Sequence, residues 1–205
     1  MLQSVDSSVR ARILEQALGL FAERGVSGTS LSSIAQAAGI SKPTLVYHFG
    51  SKEGLRSAVL NQVMEHWQAE VPRLMVAAAS GGPRLDSLLN AFFEYFQSDR
   101  NRARVLVREM LDRPVEMRTL LAQHLQPWTR LMTEAIRLGQ GSGLLRPQAD
   151  PESYTVLVIC SALSLVAVGP DASALISPEP TLADQRVELV RIARTALLNP
   201  PQQES

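Results

Sequence analysis

Residues 29–55 read TSLSSIAQAAGISKPTLVYHFGSKEGL and predict two short helices separated by a tight turn, followed by the start of a third. The first short helix has one apolar face at helical spacing, formed by Leu31, Ile34, Ala35 and Ala38. Ser30 precedes this face, where a hydroxyl caps the free N–H groups of a helix. Gly39 follows it, where glycine adopts the left-handed conformation that ends a helix.

The second short helix has its own start signal and its own buried side. Ser41 is its predicted N-cap, and Pro43 lies in the first turn, where a missing N–H does no harm. Leu45 and Phe49, one turn apart, predict the buried side. Two helices joined by a three-residue turn have the geometry that places the second helix in the major groove of DNA.

The segment resembles the DNA-binding helix-turn-helix of TetR-family transcriptional regulators. The residues that carry the resemblance are Thr29-Ser30, Ile34-Ala35, Gly39-Ile40-Ser41, Pro43-Thr44-Leu45, Tyr47-His48-Phe49, Lys52-Glu53 and Leu55. Val46 departs from the pattern, because such sequences commonly carry an aromatic residue there. We expect that departure to affect the choice of DNA site more than the fold. The resemblance implies an all-α protein, with a three-helix N-terminal DNA-binding domain and a larger C-terminal helical bundle.

The resemblance and the side-chain chemistry together predict the DNA-binding residues. These are Thr29, Ser30, Ser41, Lys42, Pro43, Thr44, Tyr47, His48 and Lys52. When such a helix lies in the major groove, its first residues contact the edges of the bases. Lys42 can donate a hydrogen bond to guanine there, and Thr44 can bond either a donor or an acceptor group of a base. The later residues suit phosphate contacts, and the start of the first helix adds a phosphate seat. The alternatives are that the hydroxyls only cap helices and that the lysines are merely solvated.

Charge does not add to the case for DNA binding. The chain has 205 residues, with 20 basic and 20 acidic side chains. Residues 1–55 contain five basic residues against four acidic ones, so the strongly basic surface of many DNA-binding domains is absent. We therefore expect weak non-specific affinity, with specific binding resting on geometry and on two protomers sharing a near-palindromic operator.

The remaining sequence predicts a cytoplasmic protein without a membrane segment. Cys160 is the single cysteine, which fits a reducing compartment. The first ten residues, MLQSVDSSVR, show no apolar signal-peptide core. The longest apolar run covers residues 156–168, which is shorter than the roughly 20 residues of a membrane span.

The predicted domains are residues 1–55 for DNA binding, with the helix-turn-helix at about 30–49, residues 56–199 for ligand binding and dimerisation, and a disordered tail at 200–205. The first helix is expected to start at Asp6 or Ser7. A long helix from Ser51 is expected to bend or stop near Pro72. Pro127 is expected to kink a later helix.

Two helices near the C-terminus predict a homodimer. Residues 152–168 are apolar on nearly all sides, and residues 182–198 have a wide apolar surface. Pairing with the same helices of a second copy would cover both in a four-helix interface about a two-fold axis. The resemblance implies the same arrangement, and a monomer with a deeply buried helix is the alternative.

The resemblance also implies a pocket for a small-molecule effector of unknown identity. Candidate lining residues are Trp67, Phe92, Phe96, Met110, His124, Trp128, Met132 and Tyr154. They supply apolar walls with a few polar groups, although the same residues at helical spacing also suit a plain core. The arginines at 100, 102, 104, 108, 113 and 118 suit either an acidic effector or a salt-bridged surface.

An enzyme is the competing class of function. The three histidines lie on different predicted helices without metal-ligand spacing, and no nucleotide-binding or nucleophile motif is present. We therefore expect no catalytic residues, no metal and no cofactor. A helical module that has lost DNA affinity is a second alternative. The favoured interpretation is a transcriptional regulator, a repressor released when an effector shifts the helix at 51–71 and changes the spacing of two recognition helices.

Overall fold

The computed structural model describes the backbone of residues 2–79 and 84–198, and the side chains of residues 7–65 and 89–198. Over these ranges the fold is all-α and contains no β-strand. The helices are α1 (Leu2–Arg24), α2 (Leu31–Ala37), α3 (Lys42–Phe49), α4 (Lys52–Ala79), α5 (Arg84–Ser98), α6 (Arg100–Asp112), α7 (Pro114–His124), α8 (Gln126–Gly141), α9 (Pro151–Ala172) and α10 (Leu182–Leu197), with a 3-10 turn at Ser173–Leu175.

The first three helices and the start of α4 contribute to a hydrophobic core that continues into the later helices. Fully buried side chains come from each of them: Ile13, Ala17, Phe21, Ile34, Leu45 and Leu55. Helix α1 ends at Arg24, and Gly25 directly after it has a positive φ of 72°, a conformation that suits glycine. In this core α2 packs against α1, and α3 packs against α2 and the start of α4.

Three helix boundaries differ from the sequence-based expectations. Helix α1 starts at Leu2, which places Asp6 and Ser7 inside the helix and not at its cap. Helix α4 does not stop near Pro72 but continues to Ala79, since a proline removes one backbone hydrogen bond without necessarily ending a helix. The helix expected to kink at Pro127 is two helices, since α7 ends at His124 and α8 begins at Gln126.

Helix α9 is the centre of the second domain. It packs against α5, α6, α8 and α10. Pro170 lies inside α9 and has no N–H for the carbonyl of Val166 one turn earlier. The Nε of Arg100, on α6, donates to that Val166 carbonyl at 3.1 Å. The arginine therefore satisfies a buried acceptor that the proline leaves open.

Candidate DNA-binding surface

The turn between α2 and α3 is closed by the caps that the sequence predicts. Ser30 Oγ accepts the backbone N–H of Ser33 at 3.0 Å, and Ser41 Oγ accepts that of Thr44 at 3.2 Å. Gly39 has a φ of 64°, a conformation that costs glycine little. These local hydrogen bonds set where α3 begins, and so which of its residues face outward.

Helix α3 is anchored on one side and open on the other. Leu45 is completely buried, and Phe49 packs against the same core. The guanidinium of Arg10, on α1, lies 5.4 Å from the centre of the Phe49 ring, a cation–π contact that holds the end of α3. Tyr47 points the opposite way and is 82% exposed. One face of α3 is thus free to meet a partner.

Most of the predicted DNA-binding residues lie on this accessible surface. The exposed ones are Ser30, Ser41, Lys42, Pro43 and Tyr47, and Thr44 and His48 are half-buried. The Ser41 and Thr44 hydroxyls are 2.8 Å apart, so they share a hydrogen bond at the helix start. Lys42 and Pro43 at the N-terminal end of α3 and Tyr47 one turn later form a continuous outward surface, which we call the α3 face.

Thr29 and Lys52 have structural roles that the sequence did not reveal. Thr29 is 2% exposed, and its hydroxyl donates to the carbonyl of Gly25 at 2.7 Å. Its side chain therefore does not match the predicted phosphate contact. Lys52 Nζ donates to the carbonyls of Val26 and Thr29 at 3.0 and 3.1 Å. This ammonium fastens the loop after α1 to the start of α4.

A network of ion pairs that the sequence did not predict joins the start of α4, directly after the helix-turn-helix, to α6 and α7. Arg56, on α4, is 6% exposed, and its Nε donates to the carboxylate of Glu109, on α6, which is 1% exposed. Arg56 Nη1 also bonds Glu116, on α7, at 2.6 Å. Arg113 bonds Glu53, in the first turn of α4. We call these five side chains the junction network.

The other arginines of the 100–118 segment mostly hold helices together. Arg108, on α6, donates to the carbonyls of Ala22 and Glu23 in the last turn of α1, at 2.8 and 3.0 Å. Arg102 donates to the carbonyl of Tyr95 at 2.8 Å. Since these guanidinium groups bond different helices, they do not converge on one anion site. The ion pairs of Arg100 with Asp171 and of Arg113 with Glu53 match the salt-bridged alternative, whereas Arg102 and Arg108 bond backbone carbonyls, a role that the sequence did not predict.

Four of the eight candidate pocket residues line a common cavity. They are Phe92, Trp128, Met132 and Tyr154, from α5, α8 and α9. The cavity measures about 30 Å³ and is also lined by Thr155 and Ala162.

The other pocket candidates lie elsewhere. Phe96 is 2% exposed and Met110 packs against the hydrophobic core, so both match the core alternative. His124 is not among the residues that line the cavity. The side chain of Trp67 is outside the described residues.

Two further observations concern the chemistry of the second domain. Burial raises the pKa of Tyr154 to about 12, so its phenol is neutral at physiological pH, and the hydroxyl donates to the carbonyl of Ala193 at 2.9 Å. Among the side chains of 7–65 and 89–198, no three His, Cys, Asp or Glu residues come together as a metal site requires.

The N-terminal domain has clear relatives among known proteins. Residues 13–59 match the sequence family described as bacterial regulatory proteins, tetR family. The HTH-type transcriptional regulator RutR of Escherichia coli K12 is 46% identical over 63 residues, which cover 31% of this chain and 30% of RutR. The match to this relative thus spans less than a third of its length.

Similarity in fold extends over nearly the whole chain. KstR2, a ketosteroid transcriptional regulator of Mycobacterium tuberculosis, superposes with a TM-score of 0.71 at 20% identity, covering 93% of this chain and 95% of KstR2. NalD of Pseudomonas aeruginosa, described as the secondary repressor of a multidrug efflux pump, gives a TM-score of 0.67 at 23% identity and covers 95% and 98%. The chain therefore carries an N-terminal domain of the tetR family of bacterial regulatory proteins, within a fold that it shares with these two solved regulators.

Proposed function

We propose that this protein is a homodimeric transcriptional repressor that binds a near-palindromic operator and releases it when a small molecule binds the second domain. The orientation of α3 carries the proposal. Leu45 is buried in the domain core, whereas Lys42 and Pro43 are exposed at the N-terminal end that reads bases. Tyr47 is exposed on the same face, where its hydroxyl suits a contact to the phosphate backbone.

Dimerisation is supported by the outward side of α9. Its exposed residues from 156 to 168 are uncharged and lie at helical spacing: Val156, Leu157, Cys160, Ser161, Ser164 and Val168. On α10, Val187 and Ile192 are 67% and 51% exposed, and the exposed ion pair of Glu188 and Arg191 lies between them in the sequence. We call these eight residues the α9–α10 face. A second copy seated there would remove exposed apolar surface from water, which is the main driving force for association.

The same helix also has the length and the apolar composition of a membrane-spanning helix. The helical segment Pro151–Leu175 is long and apolar enough to cross a bilayer. Of its most apolar stretch of 18 residues, 33% is buried inside the protein. Because its inner side packs against four other helices and its outer side suits a second copy, we assign it to the core and dimer interface of a soluble protein. A cytoplasmic location follows from the proposed role on DNA.

The mechanism depends on the distance between two α3 faces. In a dimer they must lie about 34–36 Å apart to enter successive major grooves on one side of the duplex. Helix α4 connects the helix-turn-helix to the second domain, and the junction network fastens its first turns to α6 and α7. A ligand that shifts these helices would change the separation, and coupling of about 1–3 kcal/mol would weaken operator binding roughly 5- to 150-fold.

Selection of random duplex DNA against the purified protein tests the proposal. Wild type should enrich a near-palindrome, and a double variant with Lys42→Ala and Tyr47→Ala should not. A matched variant with Leu111→Ala and Val115→Ala removes two exposed side chains outside the α3 face and should still enrich the sequence. Failure of wild type to enrich any sequence at low salt would overturn the DNA assignment and favour a helical module without DNA affinity.

A further inference from the structure

A residue that lines the cavity between α5, α8 and α9 carries a buried hydroxyl without a hydrogen-bond partner among the described residues. Thr155 is 4% exposed and lies in the second turn of α9. Its Oγ1 is buried and has no partner among the described residues. A threonine in a helix can usually bond a carbonyl one turn back, and a buried hydroxyl that makes no bond is unfavourable. The hydroxyl is therefore available to a molecule inside the cavity.

The wall of this cavity carries no ionised side chain. Apart from Thr155 and Tyr154, it is formed entirely by apolar and aromatic residues. The Tyr154 hydroxyl is already committed to the carbonyl of Ala193. A charged ligand would lose its hydration here without gaining a counter-charge, which is strongly unfavourable. An uncharged ligand with a single polar group would meet both the apolar wall and the one open hydroxyl.

The cavity must widen before it accepts anything larger than water. Its volume of about 30 Å³ is far below the roughly 300–1,000 Å³ of ordinary ligand sites. The wall best placed to move is α8, which contributes Trp128 and Met132, both half-buried. No side chain caps the start of α8, and the unbranched thioether of Met132 adapts easily to new neighbours. Displacement of these two side chains would open the cavity towards α8.

We propose that this site binds an uncharged, mainly apolar small molecule whose one hydrogen-bonding group pairs with the Thr155 hydroxyl, and that the molecule enters by displacing Trp128 and Met132. This inference rests on the proposed function, because it names the class of the effector. It assigns Thr155 as the residue that selects for the polar group. It also excludes carboxylates and ammonium compounds as effectors at this site.

Matched sets of probes test the ligand class by calorimetry. One set is 2-naphthol, naphthalene and 2-naphthoate, and the other is 4-ethylphenol, ethylbenzene and 4-ethylbenzoate. Wild type should bind the uncharged hydroxyl compound of at least one set about tenfold more tightly than its hydrocarbon, as expected for one buried hydrogen bond. The carboxylates should bind more weakly still. Equal or tighter binding of a carboxylate would overturn the proposal.

Two isosteric variants show whether Thr155 is responsible. Thr155→Val keeps the shape and removes the hydroxyl, so the preference for hydroxyl compound over hydrocarbon should disappear while the hydrocarbon still binds. Thr133→Val is the control, because Thr133 is also buried but bonds the carbonyl of Arg130 and does not line the cavity. It should keep the preference. An unchanged preference in Thr155→Val would overturn the role of Thr155.

The remaining outcome is that the cavity holds one buried water molecule and no ligand. In that case neither probe set would bind, and Thr155→Val would only alter the thermal stability of the free protein. That result would also overturn the proposal. Because these titrations contain no DNA and the operator selection contains no ligand, failure of one proposal is distinguishable from failure of the other.

Discussion

Arg113 holds Glu53 with two hydrogen bonds, from Nη1 to Oε2 at 2.7 Å and from Nη2 to Oε1 at 3.1 Å. Arg113 lies between α6 and α7, and Glu53 is in the first turn of α4, directly after the helix-turn-helix. Three residues further along α4, Arg56 forms the buried pair with Glu109. A movement of α6 or α7 therefore acts on the part of α4 closest to the α3 face.

The buried pair of the junction network, Arg56 and Glu109, should contribute most to the stability of the protein. Glu109→Ala leaves the Arg56 guanidinium buried with its Glu116 bond and the longer ion pair to Glu53 at 3.8 Å, and removing one member of a buried pair costs about 3–5 kcal/mol. We expect a loss near 3 kcal/mol in the free energy of unfolding measured with urea, because Glu116 still compensates part of the charge. Arg113→Ala, in the more exposed pair, should cost less than about 1 kcal/mol. Equal losses for the two variants would contradict this ranking.

The exposed pair of the junction network, Arg113 and Glu53, should make the stability of the protein depend on pH. The hydrogen bond from Arg113 is the main cause that lowers the pKa of Glu53 below its ordinary 4.5. A carboxylate with a lowered pKa in the folded state stabilises above the pKa of the unfolded chain, and that contribution is lost as the pH falls through the folded value. Wild type should therefore be slightly more stable than Glu53→Gln at pH 7, and the difference should vanish below the folded pKa. Urea titrations from pH 7 to 3 measure this. A difference that stayed constant over this range would mean that the ion pair does not contribute.

The features predicted correctly are those encoded locally. The caps at Ser30 and Ser41 and the left-handed Gly39 depend on neighbours within one turn, so a single sequence suffices to place them. The helix-turn-helix and the all-α class follow from such signals. The same reasoning could not show that Pro72 stays inside α4, because continuation of a helix through proline depends on its surroundings.

The features missed depend on contacts between distant parts of the chain. Arg56 and Glu109 are 53 positions apart, and nothing near either residue marks it as buried. The bonds from Lys52 to the loop after α1 likewise form only once that loop is folded against α4. Thr155 looked like one more residue of an apolar helix, since its missing hydrogen bond is visible only when α5, α8 and α9 are assembled.

Two substitutions on the α3 face should distinguish a residue that reads bases from one that contacts the DNA backbone. Lys42→Ala should relax specificity at one base pair of each half-site and cost about 1–3 kcal/mol there. Tyr47→Phe keeps the exposed ring and removes only the hydroxyl, so it should weaken binding to all sequences equally. Fluorescence anisotropy with the selected operator and its single-base variants measures both. Uniform weakening by Lys42→Ala would contradict a base-reading role and would indicate a phosphate contact.

The α9–α10 face should control the oligomeric state. Leu157 is 65% exposed, so Leu157→Arg should leave the protomer folded. In the proposed dimer the new guanidinium would be buried opposite a second copy without a counter-charge, which strongly disfavours association. Sedimentation velocity should therefore show wild type as a dimer and the variant as a monomer. Val115→Arg is the matched control, because Val115 is 79% exposed on α7 and should leave the dimer intact.

Cys160 provides an independent measure on the same face. Its side chain is exposed in the protomer and lies between Leu157 and Ser164 on the outward side of α9. In a dimer built on this face, maleimide should label Cys160 slowly, and labelling should become faster as dilution separates the protomers. Leu157→Arg should label quickly at every concentration. Fast labelling of a wild-type dimer would mean that the two copies meet through another surface, in which case α9 would not set the distance between the α3 faces.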